Sequence, residues 1–273
     1  SPMSRGLGDV YKRQFEFRAV GSAANCAVPM TVLNTIMAEQ LNMFKAAVDA
    51  RIAGGDKKDE ALLKEIQKLI KESKAIRFEG NGYGQEWVDE AAKRGLSNLL
   101  DTPSALAVWE RQEVVDLFDG MGVLSAEEVA ARTEVELENY VMKLQIEARV
   151  LGDMVTNQVL PAVMDYQSDL LANVQGFMDV FGDNKADAMT TAQRSILEEL
   201  SAGVSATYAS LEAMRSERSK INEMGDLHAM AKGYAEVVKP LMEEVRVQVD
   251  QLEKLTEDGR WPFPKLRELL FTR

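Results

Sequence analysis

Glu16 and Arg18 stand two residues apart in the segment FEFRA, Phe15 to Ala19, where aromatic and charged residues alternate. A period of two is the pattern of a short strand with one buried face. The carboxylate and the guanidinium are then expected side by side, with Phe15 and Phe17 pointing into the layer behind. A carboxylate so placed can bind a hard divalent cation, and a neighbouring guanidinium can make a bidentate contact with a phosphate or carboxylate. The same spacing also fits an exposed cross-strand ion pair that binds nothing. Spacing alone leaves both open.

Other chemistry is scarce. One histidine, His228, and one cysteine, Cys26, cannot build a zinc cluster, a local Cys/His pair or an internal disulfide. His228 lies among Leu227, Ala229 and Met230 near a helix start, and a packed or solvent-facing histidine is expected there rather than a catalytic one. The chain has no G-x-x-x-x-G-K-[ST] loop. The run GNGYG, Gly80 to Gly84, faintly resembles a phosphate cradle, but it does not follow a predicted strand and reads as a turn.

The elements around the pair are mostly helical. The first fourteen residues show no periodicity and are expected to be foreign to the fold, a leader over 1–14. After FEFRA and a small-residue loop, a helix is predicted from about Val28 to Ala53, ended by Gly54 and Gly55, and another from about Lys58 to Lys74. A glycine-dense loop, Arg77 to Gly84, precedes a short helix from about Gln85 to Arg94, and Thr102 followed by Pro103 reads as an N-cap with proline at the first helical position. Ser125 and Glu128 make a capping-box pair, after which Leu137, Val141, Leu144, Ala148, Leu151 and Val155 form a narrow apolar seam. Pro161 is expected to break or kink that helix. A second seam runs Ile196, Leu200, Val204, Thr207, Leu211, Met214, and a third runs Val238, Leu241, Val245, Leu252, Leu255 with Gln248 in it. At least three long helices after Ser125 packed as an antiparallel bundle follow from these seams. The tail DGRWPFPKLRELLF is expected to cross a surface in extended form before a last short helix. The fold class is therefore mainly α, a long-helix bundle with one N-terminal strand.

Composition narrows the partners. With 44 acidic and 32 basic residues the formal net charge is -12, which repels a phosphate backbone and an anionic membrane. The longest uncharged stretch, Ala19 to Ala38, contains Ser22, Asn25, Pro29, Thr31, Asn34 and Thr35, so no membrane span is expected. Neither nucleic acid nor membrane is an expected partner, and a cytoplasmic location is the simplest reading of a single cysteine without a secretory signal.

Three separated blocks in order resemble the type III branch of the glutamine synthetases: FEFRAVGSAANCAVPMTVLNTIMAEQL, RFEGNGYGQEWVDEAAKRGLSNL and WPFPKLRELLF. The resemblance covers nearly everything from Phe15 to Arg273. It implies a strand left from an α+β catalytic domain, whose end would run over residues 15–122, and a long-helix C-terminal region over 123–273. It also implies ATP-dependent ligation of ammonia to glutamate in a parent protein built as a homo-oligomer of stacked hexameric rings, with magnesium or manganese ions. Glu16 would hold one metal ion, and Arg18 would contact substrate glutamate and the reacting phosphate. A basic residue normally precedes this strand in the family, and here Gln14 stands in its place. The other metal-binding carboxylates and the ATP pocket would lie upstream, so this chain is expected to be inactive alone and to bind no cofactor tightly. The alternative from another class is a non-enzymatic helical scaffold or signalling module, which the three seams also fit.

Overall fold

Long runs of helix-favouring residues punctuated by caps dictate the architecture, and the computed structural model describes residues 25–270. The strand expected at Phe15–Ala19 and the leader over 1–14 lie outside the described residues. Among the described residues there is no strand and the chain is mainly α-helix. Contacts divide it into two units: one holds the described residues up to Ala75 with Gly120–Val123, the other holds Ile76–Asp119 and everything from Leu124.

The first unit is a hairpin of α1 (Ala27–Ala53) and α2 (Lys58–Glu72), and a 3-10 turn over Ser73–Ile76 leads to the unit boundary. Gly54 and Gly55 end α1 as expected, and the turn is fixed by side chains. The Arg51 guanidinium pairs with Glu65, whose carboxylate is almost wholly buried, and Lys64 bridges Asp56 at 2.9 Å and Glu60 at 2.8 Å. Only Thr35, Val48, Ala61 and Glu65 are buried on these two helices.

The second unit begins with the glycine-dense loop and α3 (Gln85–Lys93). Phe78 stacks on Trp87 at 4.3 Å, and Arg94 lies over the same indole while donating to the Arg77 carbonyl at 2.8 Å. Gly80 passes the Phe78 ring so closely that a Cβ would sit 2.6 Å from it, and a ring edge cannot yield as a chain end can. The next helix, α4 (Thr102–Leu106), is capped one residue earlier than expected. Asp101, not Thr102, accepts from the Ser104 N–H at 2.7 Å, because an aspartate carboxylate reaches the third amide while Thr102 is already helical. A further helix, α5 (Gln112–Gly120), buries Phe118 against Trp109.

The bundle follows. The Ser125/Glu128 capping box forms, with the Glu128 N–H donating to Ser125 Oγ at 3.3 Å and the Ser125 N–H to the Glu128 carboxylate at 2.9 Å. It starts α6 (Ala126–Met154). Pro161 does not break the chain of helix. A π turn over Val155–Val159 precedes it, in which the Leu160 N–H donates to the carbonyl of Val155, five residues back, and α7 (Leu160–Phe181) then runs through the proline. The wider turn carries the opposing carbonyl away from the proline ring and absorbs the missing N–H. After α8 (Asp183–Met189) and α9 (Thr191–Asn222), the same device recurs: α10 (Leu227–Gly233), a π turn over Tyr234–Val238, then α11 (Lys239–Leu255) containing Pro240.

Side-chain pairs fix the directions. Gln145 meets Asn222 while Thr156 meets Arg215, so α6 and α9 run antiparallel. Gln167 meets Ser201 while Asn173 meets Gln193, and Gly203 faces Leu252 while Ser210 bonds Glu244, so α7 and α11 also run antiparallel to α9. The seams are the core: Leu137, Val141, Leu144, Ala148 and Val155 pack with Leu211, Met214, Val238 and Val245, and Leu200 and Leu252 with Val163 and Trp261. Leu151 and Leu241 are half-buried at the edge of the first cluster. The tail differs from expectation, because Trp261 and Phe263 turn inward onto the second cluster instead of crossing the surface. Lys265 is buried there, donating to the Thr256 and Glu253 carbonyls at 2.6 and 2.9 Å at the end of α11, where a cation is favoured. The short helix α12 (Leu266–Leu269) follows.

Candidate functional site

Glu16 and Arg18 lie outside the described residues, so the structure neither joins nor separates them. Among the described residues no group of three or more histidine, cysteine, aspartate or glutamate side chains could hold a metal ion. His228 sits on the surface beside Glu110, Nε2 to Oε1 3.1 Å, with its N–H donating to the Asp226 cap at 3.1 Å. Cys26 is exposed. The loop over 77–84 is a turn in which the Asn81 side chain accepts from the Tyr83 N–H at 3.1 Å, with no strand before it.

Charge does gather elsewhere, in a cleft between α6 and α9 of about 520 Å³. Arg149 and Asp153 are one turn apart on α6, and Arg215 and Arg218 are one turn apart on α9, so each pair shares a helix face. The floor is made by Ala148 and Gly152. Arg215 is held across it: its guanidinium donates to Thr156 Oγ1 at 2.8 Å, to the Gly152 carbonyl at 3.4 Å and to Glu212 at 2.7 Å. Thr156 belongs to the first π turn, and such turns often build sites. Arg218 has a buried Nε with no hydrogen-bond partner among the described residues. Behind it lies a polar relay, in which the Tyr234 hydroxyl and the Gln145 amide both donate to Asn222 Oδ1, at 2.6 and 3.0 Å. Burial pushes the Tyr234 hydroxyl above the ordinary tyrosine pKa, with the Arg218 charge among the smaller opposing influences. Sequence reasoning missed this cleft. Its signal, arginines flanking the seams at helical spacing, becomes visible only when the register of α6 against α9 is known.

The comparisons with known proteins give the family. A model described as the glutamine synthetase C-terminal domain matches residues 61–177, a stretch from α2 into α7 that includes Arg149 and Asp153 but not Arg215 or Arg218. A glutamine synthetase of Bacteroides fragilis (strain YCH46) is 41% identical over 260 residues, covering 95% of this chain and 36% of its own length. A type-3 glutamine synthetase of Dictyostelium discoideum is 33% identical over 260 residues, 95% of this chain and 35% of its own. A glutamine synthetase of Butyrivibrio fibrisolvens is 28% identical over 235 residues, 85% of this chain and 33% of its own. The chain thus spans about a third of the length of the curated relatives it matches. With the three sequence blocks and the long-helix architecture on the same side, the chain belongs to the glutamine synthetase family, in its type III branch.

Proposed function

We propose that the chain is part of a longer glutamate–ammonia ligase, which joins ammonia to glutamate at the expense of ATP, and that it contributes one corner of that active site. Similarity to proteins named glutamine synthetase along 95% of the chain carries the reading. The first unit supports it physically. Helix α1 is apolar on several sides, with Met30, Met37, Leu41 and Met43 each more than half exposed, while a helix apolar all round is normally buried. No helix among the described residues is long and apolar enough to cross a membrane. Further protein is the fitting cover for α1, and the rest of a catalytic domain would supply it.

In that parent, Glu16 supplies one oxygen ligand to a magnesium or manganese ion, and Arg18 contacts the glutamate substrate and the transferring phosphoryl group. Such an ion, once bound, would supply positive charge against the charge that builds on that group. Arg18 does the same from the protein side: a preorganised guanidinium stabilises the transferring oxygens more than the ground state, so it lowers the barrier. The remaining ligands come from other strands of the parent. Residues 15–122 close the catalytic domain and 123–273 form the helical region. The parent is a cytoplasmic homo-oligomer of stacked hexameric rings. The rival reading is a helical scaffold without activity, and it predicts a parent that forms no glutamine.

The test uses the parent. Arg18→Ala is expected to lower ATP-dependent glutamine formation by about a hundredfold or more, the size of one lost transition-state contact, with unchanged helical circular dichroism. Glu16→Gln is expected to raise the magnesium concentration needed for half-maximal rate. An Arg18→Ala parent as fast as wild type rejects the assignment.

A further inference from the structure

We propose that the α6–α9 cleft is a binding site for a phosphoryl dianion, inorganic phosphate or the terminal group of a phosphate ester, held by Arg149, Arg215 and Arg218. This stands independently of the ligase reading. In a chain with a net charge of -12, three guanidiniums lining one cleft with a single carboxylate, Asp153, is a local reversal of sign. Glu212, paired with Arg215, and Asp153 offset part of that charge, and the positive charge that remains favours an anion among the guanidiniums.

Arg218 carries the inference furthest. Its residue is half-buried and its Nε is shielded, donating to nothing among the described residues, so the terminal nitrogens of the guanidinium are the donors that meet an anion in the cleft. Arg215, by contrast, is braced by Thr156, the Gly152 carbonyl and Glu212, so it is oriented in advance and still has donors to spare. Arg149 is exposed at the rim. Asp153, one turn from Arg149, accepts from the Asn157 amide at 2.5 Å and repels an anion at its side of the cleft. The volume of about 520 Å³ admits a group larger than phosphate itself. Guanidiniums approaching from two helices suit a tetrahedral group carrying two charges better than the single charge and flat fork of one carboxylate.

The experiment titrates the 273-residue chain with inorganic phosphate at fixed ionic strength, read by calorimetry and by phosphorus NMR, with chloride and succinate as parallel titrants. Wild type is expected to bind phosphate with a Kd of about 1 mM or tighter, and succinate more weakly. Arg218→Gln and Arg149→Gln should each weaken phosphate about tenfold, Asp153→Asn should tighten it severalfold, and Lys45→Gln, on α1 of the first unit, should leave it unchanged. Should Arg218→Gln fail to fold, Arg149→Gln and Asp153→Asn, both at exposed positions, decide with their opposite signs. No phosphate binding by wild type, equal binding by all variants, or succinate bound more tightly than phosphate overturns the proposal.

Discussion

Replacing Gly203 with alanine is expected to destabilise the bundle, although the same change in an open helix would stabilise it. Gly203 lies where α9 passes α11, and a Cβ there would come within 2.7 Å of Leu252 Cδ2 and 3.4 Å of its Cγ. Leu252 is 1% exposed and belongs to the cluster with Val163, Leu200 and Trp261, so its methyl has nowhere free to go. Helix propensity favours alanine by about 1 kcal/mol. Over-packing a filled core costs about 1–3 kcal/mol. With about 2 kcal/mol as the middle of that range, the net loss is about 1 kcal/mol, or a fall in Tm of about 2–4 °C for a unit of this size. Gly152 is the internal comparison. A Cβ there would meet Leu211 and Arg215 at 3.5–3.6 Å, ordinary contact, so Gly152→Ala should keep the whole gain of about 1 kcal/mol. The assay is urea unfolding followed by circular dichroism, extended to a double-mutant cycle. Leu252→Ala alone should lose about 2–5 kcal/mol, and combined with Gly203→Ala it should be about 2 kcal/mol better than the sum, because the clash is gone. A Gly203→Ala chain as much stabilised as Gly152→Ala, with additive energies in the cycle, would refute the close approach of α9 and α11.

Three further outcomes are expected. Thr207 is fully buried with a hydroxyl that has no partner among the described residues, so Thr207→Val should gain about 1 kcal/mol in the same unfolding assay; a loss would mean the hydroxyl is satisfied. Tyr234 holds its proton to higher pH when folded, chiefly through burial, while the unfolded chain releases it near pH 10. The resulting stability is complete below about pH 10 and is lost as pH rises through the folded value, so Tyr234→Phe should flatten the alkaline fall in Tm; an unchanged slope would contradict it. Lys265→Met should cost about 2 kcal/mol, since two carbonyls at the end of α11 lose their buried donor, and near-neutral behaviour would show that water replaces it.

What the sequence made legible was whatever one helix decides by itself. The recurrence of Leu137, Val141, Leu144 and Ala148 is set by which face a single helix buries, and those side chains are core. The Ser125/Glu128 box is likewise local, because both partners lie within one turn. Where two local signals competed, the reading slipped: Asp101 and Thr102 can both cap, and the carboxylate wins. Pro161 reads as a break or a kink in any isolated helix. Its tolerance comes from the π turn over Val155–Val159, whose Val155 and Val159 are anchored in the core, a tertiary cause that periodicity does not contain. The same limit applies to function. The pair Glu16 and Arg18 rests on strand alternation and family resemblance and lies outside the described residues, whereas the arginine cleft depends on Arg215 of α9 standing beside Gly152 of α6, 63 residues apart.

The central claim, that this chain is a portion of an ATP-dependent glutamate–ammonia ligase whose remaining site residues lie elsewhere in the parent, is tested most directly by one comparison. Glutamine formed from glutamate, ammonia and ATP, measured with a coupled assay in excess magnesium, is followed for the 273-residue chain and for the complete parent at equal molar concentration. The account predicts sustained turnover by the parent and none by the chain, since one carboxylate and one guanidinium cannot replace the several oxygen ligands a divalent ion requires. Turnover by the chain alone, or an inactive parent that is folded and supplied with magnesium or manganese, would contradict it.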